Sequence, residues 1–285
     1  MTKQLIAFVF ILLCVSVAAQ TDTAEAVKKI KPTPPWWAQR FHVSAGMFFT
    51  VNNTVIQVGS EDGSHGSTID FEKDLGFSKS TGTFLGSFQW RASRRSRFEL
   101  NYYHIDRTST KILDNDITFK DTTFKLNSSV KAFFNTDIFQ VTYGYAFLLN
   151  PKYEVGLSIG AHIVSAKTGI GLNTTLGNVS AEQDFGFTAP LPDIGIWGGY
   201  AISEKWAING LFNYLSLTVG NIKGSLFSYE TSVTYKILNN LTATAGYMGL
   251  NFKVDAENDR SHGYIKWGYN GPSLTVNYAF GRKPW

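Results

Sequence analysis

The sequence predicts an all-β protein, a single transmembrane antiparallel up-and-down β-barrel of about ten strands. Three observations support this prediction. Most of the chain after Phe41 alternates apolar and polar residues, as does a strand with one apolar side. Several of these stretches continue for about 10 residues, the length of a tilted strand that crosses a bilayer. The opposite faces carry mostly Gly, Ser, Thr, Asn and Gln, residues that suit a packed polar interior.

A soluble β-sandwich or a lipocalin-like barrel is the competing architecture, in which the apolar faces point inward. Periodicity alone does not distinguish inward from outward. However, strands of soluble proteins typically run for about 5–6 residues, and the alternating stretches here are longer. The sequence also shows no helical pattern that would cover a sheet. These features favour the membrane barrel.

Residues 1–19 have the features of a secretory signal peptide. Lys3 supplies the positive charge, Leu5 to Val17 form a short apolar core, and Ala18 and Ala19 complete a small-residue cleavage site. The core is shorter than the about 20 residues of a transmembrane helix. The only cysteine, Cys14, lies in this segment, so we expect neither disulfides nor thiolate chemistry in the mature chain.

The remaining chain divides into a linker at 20–38 and a barrel at 39–285. The linker is polar at first and is then stiffened by prolines 32, 34 and 35, so we expect a periplasmic spacer. Trp36 and Trp37 come just before the first strand. Because indole rings favour the membrane–water interface, both are predicted to anchor the barrel there.

Ten predicted strands follow one another. Their alternating cores lie at Phe41 to Val51, about 80–91, Phe98 to Tyr103, about 131–148, Tyr153 to His162, Asp193 to Tyr200, Trp206 to Tyr214, Phe227 to Lys236, about 241–253, and about 262 to Phe280. The first is predicted to continue towards Gly59 through a bulge, and the last to bend at Gly271-Pro272.

Short turns alternate with mostly longer polar connections along this series. The predicted turns lie at 93–96, 150–152, 203–205 and 238–240, and the longest connections at 60–79, 108–130 and 167–188. This is the pattern of outer-membrane barrels, whose turns are periplasmic and whose loops are outside. Eight or twelve strands are the alternatives, and twelve would result if Asn52-Asn53 and the hairpin dipeptide Asn270-Gly271 both turned.

Residues opposite the apolar rows are predicted to face the lumen. The candidates are Arg91, Glu99, Tyr103, Gln140, Glu154, Ser158, His162, Asp193, Trp197, Asn209, Asn213, Glu230 and Lys236. Arg91 and Glu99 flank one short turn and are predicted to form an ion pair. Bulky side chains and charges of both signs predict a narrow or plugged lumen, since ten strands are far fewer than the 16–18 of open porins.

Aromatic residues cluster near the predicted strand ends. The candidates for a girdle at the membrane interface are Trp36, Trp37, Trp90, Phe98, Phe147, Tyr153, Tyr200, Trp206, Tyr235 and Phe280.

No residue pattern predicts catalysis. Glu154, Ser158 and His162 share one face, but four residues along a strand span roughly 13 Å, whereas a nucleophile and its base need about 3 Å. No His pair or cysteine set has the spacing of a metal site, so we expect no metal and no cofactor. The net charge of +4 comes without a basic run, so we expect no nucleic-acid partner.

The last strand, GPSLTVNYAF, places Leu274, Val276, Tyr278 and Phe280 on one face. It resembles the C-terminal strand of Gram-negative outer-membrane β-barrels, which typically ends in an aromatic residue, although GRKPW follows here. Over residues 40–280 the pattern resembles small barrels of the OmpW-like and OmpA-barrel-like groups. The resemblance implies a location among the lipids of the outer membrane. It also implies a role as a narrow channel for small or apolar compounds, or as a structural and adhesive envelope protein.

We therefore expect a non-enzymatic outer-membrane barrel that forms a narrow channel or binds a small solute. The alternative is a structural or adhesive barrel that acts through a loop-bound partner. A third hypothesis is a barrel enzyme acting on lipid A or esters. The lipid A deacylase family keeps a His and a Ser two residues apart on one strand, facing the lipid, and no such lipid-facing pair occurs here.

Overall fold

The computed structural model describes residues 35–58, 67–173, 179–219, 222–258 and 261–284. These residues form thirteen strands, and ten of them pair in one closed antiparallel barrel. The barrel strands are β1 (Phe41–Val58), β3 (Ser80–Arg91), β4 (Ser96–Ile112), β7 (Ser129–Leu149), β8 (Tyr153–Asn173), β9 (Val179–Ala201), β10 (Trp206–Val219), β11 (Ile222–Lys236), β12 (Leu241–Asn258) and β13 (Ser261–Phe280). Three short strands complete the set: β2 (Thr68–Asp70), β5 (Ile117–Phe119) and β6 (Thr122–Phe124). The predicted signal peptide and most of the predicted linker lie outside the described residues.

Pairing of β1 with β13 closes the barrel, and the predicted ten-stranded fold is confirmed. The alternatives of eight and twelve strands are wrong. β1 continues through Asn52-Asn53, and β13 continues through Asn270-Gly271. Both strands keep one register on either side of these dipeptides, because their neighbours supply hydrogen-bonding partners that outweigh the local turn preference. No helix within the described residues is long and apolar enough to cross a membrane.

The four short connections lie at one end of the barrel, together with the start of β1 and the end of β13. We call this the turn end and the opposite end the loop end. The prediction that 167–188 is a loop is wrong, because β8 extends to Asn173 and β9 begins at Val179. Lys167 pairs with Gly186 inside this ladder. The stretch at 108–130 likewise contains the end of β4, the β5–β6 hairpin and the start of β7.

An apolar belt surrounds the half of the barrel nearer the turn end. Its large side chains point outward and are exposed, among them Val43, Met47, Phe84, Phe88, Leu100, Phe139, Val141, Leu157, Ile159, Ile194, Ile196, Ile208, Phe212, Phe227, Val233, Leu274 and Val276. On β10 the belt runs from Trp206 to Tyr214, about nine residues, which is close to the 9–11 residues of a membrane-crossing strand. A belt of this width suits the hydrocarbon layer of a membrane.

The polarity of the two faces reverses beyond the belt, towards the loop end. On β4 the outward residues change from Phe98 and Leu100 to His104 and Asp106, while Ile105 is buried inside. The interior of this half is an aromatic core that includes Phe48, Phe134, Phe252, Trp267 and Tyr269. The predicted polar interior therefore holds only for the half inside the belt. Beyond the belt the outer surface has polar residues that suit water, so apolar residues stabilise the barrel from within.

Candidate functional site

Two cavities lie inside the described part of the barrel. A polar cavity of about 230 Å³ occupies the half near the turn end, and an apolar cavity of about 490 Å³ occupies the half near the loop end. The first contains most of the predicted lumen residues. The second is lined by residues that the sequence did not single out.

A buried ion pair crosses the polar half of the barrel. The guanidinium of Arg91 donates two hydrogen bonds to the Glu154 carboxylate, at 2.9 and 2.8 Å. Both side chains are almost fully buried, and the Trp37 indole donates to the same carboxylate at 3.1 Å. The predicted Arg91–Glu99 pair is wrong, because the β3–β4 register sets Arg91 opposite Arg97.

Further contacts fill the same half of the interior. The Arg97 guanidinium lies 3.4 Å from the centre of the Trp197 ring, a close cation–π contact. Asn101 donates to Gln140 at 3.0 Å, and Asn209 donates to Thr234 at 3.2 Å. These pairs join side chains across and along the wall, and they narrow any axial path for water.

The other predicted lumen residues also lie on inward-facing rows. Tyr103 and Tyr269 join through their hydroxyl groups, Glu99 and Glu230 line the polar cavity, and Lys236 lies at the turn end, 5.3 Å from the Trp36 ring.

Glu154, Ser158 and His162 belong to three separate contacts. Glu154 binds Arg91, Ser158 donates to Asn213 at 3.4 Å, and His162 Nδ1 lies 2.8 Å from a carboxylate oxygen of Asp193. All three partners come from other strands, namely β3, β10 and β9. The arrangement does not assemble a catalytic triad within the described residues.

The predicted interface aromatics occupy two positions. Exposed rings on the outer surface near the turn end are Trp90, Phe98, Phe147, Tyr153, Tyr200, Trp206 and Phe280, and half-buried Tyr235 packs on Trp206 at 4.7 Å. Trp36 donates to the Ser203 carbonyl at this rim. Trp37 differs from its prediction, because its indole enters the mouth of the barrel to reach Glu154.

The apolar cavity is lined by β9, β10 and β11 and by residues of β1, β12 and β13. Its wall is mostly aliphatic and aromatic, and it includes Phe185, Phe187, Leu191, Leu215, Leu217, Leu226, Val254 and Ile265. The sequence analysis missed this cavity because the β9 residues fell in a predicted loop. The inward alternation of Phe185, Phe187 and Leu191 with polar or small neighbours is the signal that marks them.

The barrel wall beside the apolar cavity is split. Pairing of β9 with β10 ends at Ile194 and Tyr214, and no described residue from 183 to 193 pairs with β10. On its other side, β9 stays paired with β8 through Pro190 and Pro192. Proline has no backbone N–H. Because the ladder with β8 is uninterrupted, the positions where Pro190 and Pro192 lack an N–H must lie on the edge of β9 that faces β10. The prolines therefore explain why this edge does not pair.

A second split in the wall is filled. Pairing of β3 with β4 ends at Leu85 and Tyr103. Beyond that point the segment 67–79 packs into the barrel, with Ile69, Phe71, Leu75 and Phe77 buried in the aromatic core. Arg107 of β4 donates to Glu72 of this segment at 2.5 Å and to the Ser78 carbonyl at 2.9 Å.

The fold has counterparts among solved structures, although no protein family and no curated protein matches this chain by sequence. The outer membrane protease OmpT from Escherichia coli matches with a TM-score of 0.55 and 12% identity, over 86% of this chain and 98% of that chain. The chain has the fold of an outer-membrane β-barrel. The narrower resemblance to the OmpW-like and OmpA-barrel-like groups stays a prediction.

More distant outer-membrane barrels also align. The toluene transporter TodX of P. putida matches with a TM-score of 0.37 and 9% identity, over 88% of this chain and 94% of that chain. Ail, the attachment invasion locus protein of Yersinia pestis, matches with a TM-score of 0.34 and 11% identity, over 85% and 99%. All three likenesses concern the fold and assign no activity to this outer-membrane barrel.

Proposed function

We propose that this barrel is a non-enzymatic outer-membrane protein that binds a small apolar solute. The apolar cavity carries the proposal. Its volume of about 490 Å³ falls within the roughly 300–1,000 Å³ of small-molecule sites. Its wall offers apolar contact from Phe187, Leu215 and Leu226 with few polar groups, so it favours a ligand that gains by leaving water.

The contents of the barrel favour a binding site over a water-filled channel. The Arg91–Glu154 pair and the Arg97–Trp197 contact occupy the polar half, and the aromatic core occupies much of the other half. An adhesive role through the loops receives less support from the described residues, because the segment 67–79 packs inward and does not project.

Exchange of one leucine for glutamine tests the cavity. We expect Leu215→Gln to weaken binding of a fluorescent naphthalene probe about tenfold, because an amide left unpaired in an apolar site costs roughly 1–3 kcal/mol. Leu211→Gln is the matched control. Leu211 is also half-buried and faces inward on β10, but it lines the polar cavity, where an amide finds partners. Fluorescence titration of both refolded variants gives the dissociation constants.

Absence of probe binding to the wild-type barrel would contradict the proposed function. An equal loss of affinity in Leu211→Gln and Leu215→Gln would also contradict it, because the effect would then not depend on the apolar cavity. Slower electrophoretic migration on heating shows that each variant was folded before the titration.

Planar-bilayer recordings give an independent prediction. We expect the folded wild-type barrel to show no sustained ion conductance, because polar pairs and aromatic side chains obstruct the path along its axis. Discrete, long-lived openings would contradict the closed interior and favour the channel hypothesis instead.

A further inference from the structure

We infer that the apolar cavity exchanges its ligand sideways with the membrane, through the split between β9 and β10. The ligand class is then a small lipid-soluble molecule that moves between the bilayer and the cavity without crossing water. The inference rests on the proposed binding function and adds to it the route and the phase from which the ligand comes.

The split begins at the border of the apolar belt that lies towards the loop end. Ile194 and Tyr214 form the last β9–β10 pair, and both side chains point outward with 59% and 58% exposure. Pro190 and Pro192 continue the outward row of β9, and on β8 they pair with Ile163 and Ala161. At the end of the split that is nearer the turn end, the outer surface is therefore apolar and adjoins the hydrocarbon layer.

The two edges of the split also line the cavity. Leu191 and Pro192 contribute from β9, and Leu215 and Leu217 contribute from β10. Leu217 belongs to the inward-facing row of its strand, yet 49% of its surface is exposed. Leu217 therefore both lines the cavity and is accessible from outside, at the end of β10. The opening is thus continuous with the cavity.

The two splits in the barrel wall differ in what lies between their edges. At the β3–β4 split, Arg107 holds the segment 67–79 in place through Glu72, and Ser109 donates to the Leu75 carbonyl. At the β9–β10 split, the described residues place no comparable segment between the edges. Instead Pro190 and Pro192 withhold the donors that would close it. Among the described residues, one split is filled and the other is not.

Two other directions out of the cavity are obstructed by described residues. Towards the turn end the path meets the Tyr103–Tyr269 pair and then the Arg91–Glu154 ion pair. Towards β3 and β4 it meets the packed segment 67–79. An apolar ligand that leaves between β9 and β10 stays in contact with apolar side chains, so it avoids the free-energy cost of hydration.

A reversible bridge across the split tests the route. If the β9–β10 register continued, Pro192 would lie opposite Ser216. In the variant Pro192→Cys/Ser216→Cys, cleavable thiol-reactive linkers of graded length are applied until the mass shows complete bridging. The control is Ile196→Cys/Phe212→Cys, which places the same bridge on a pair that is already joined. Cys14, the only natural cysteine, lies in the predicted signal peptide.

The readout uses the naphthalene probe carrying a diazirine, added to barrels reconstituted in phospholipid vesicles. The time course of photo-labelling at Phe187 reports how fast the probe reaches the cavity, and its plateau reports occupancy. We expect the Pro192/Ser216 bridge to slow labelling at least tenfold with the plateau unchanged. Cleavage of the linker should restore the rate, and the control bridge should leave it unaltered.

Three outcomes would overturn the inference, and they are distinguishable from one another. An unchanged rate under complete bridging, with normal occupancy, removes the lateral route and leaves the binding function standing. Absence of labelling at Phe187 in the unmodified barrel would contradict both the lateral route and the binding function. Recovery of a non-exchanging phospholipid chain from the cavity, in place of the probe, replaces the small molecule by a structural lipid.

Discussion

Replacement of Arg91 by alanine is expected to destabilise the barrel by about 3–5 kcal/mol, because it leaves the Glu154 charge buried without its partner. Arg91 is 1% exposed and Glu154 is 2% exposed, so only water confined to the polar cavity could replace the two lost hydrogen bonds. Urea unfolding of vesicle-embedded protein, followed by tryptophan fluorescence, measures the change in the free energy of unfolding.

A double-mutant cycle separates the loss of a partner from the loss of side-chain volume. We expect Arg91→Ala/Glu154→Ala to be less destabilised than the sum of the two single variants, because the double variant buries no unpaired charge. Lys205→Ala, an exposed charge in a turn, is the control and should change stability by less than about 0.5 kcal/mol. An Arg91→Ala variant as stable as this control would show that the ion pair does not hold the polar half together.

Sequence periodicity predicts the belt well and the interior poorly, for a physical reason. Inside the membrane the lipid imposes an apolar outer row, so strands such as β3 and β7 alternate visibly and their facing is predictable. Alternation assigns a residue to a face but does not say which residue lies across the lumen. The sequence analysis therefore paired Arg91 of β3 with Glu99, which is close in sequence. The actual partner, Glu154, lies on β8.

Beyond the belt the alternation signal weakens and then reverses. The outward rows of β8 and β9 become polar there, and Gly169, Gly171 and Gly186 lower the apparent strand propensity. Hydrogen bonding to neighbouring strands still extends β8 and β9. The apolar cavity lies against this region, so the residues that line it could not be found from an outward apolar pattern. Two signals were available: the inward alternation of Phe185, Phe187 and Leu191, and the two prolines of β9, since prolines within a strand mark an unpaired edge.

Replacement of Arg107 by alanine is expected to release the segment 67–79 from the β3–β4 split. The Arg107 guanidinium binds Thr54 at 3.0 Å and the Ser78 carbonyl at 2.9 Å, in addition to Glu72. Its removal leaves Glu72 buried against a backbone N–H and a hydroxyl of Thr54 alone, without a cation. Because an unpaired buried carboxylate is strongly unfavourable, the segment should detach from the aromatic core and expose its apolar residues.

Limited trypsin digestion of the reconstituted barrel measures this release. We expect cleavage after Lys73 or Lys79 at least tenfold faster in Arg107→Ala than in the wild type, while the membrane-embedded strands stay protected. Arg107→Lys keeps the charge but loses the planar fork that reaches Glu72 and Ser78 together, so its cleavage rate should be intermediate. Equal cleavage in all three proteins would mean that apolar packing of Phe71 and Phe77 alone seals this split. In that case the difference between the two openings in the wall would rest on the prolines of β9.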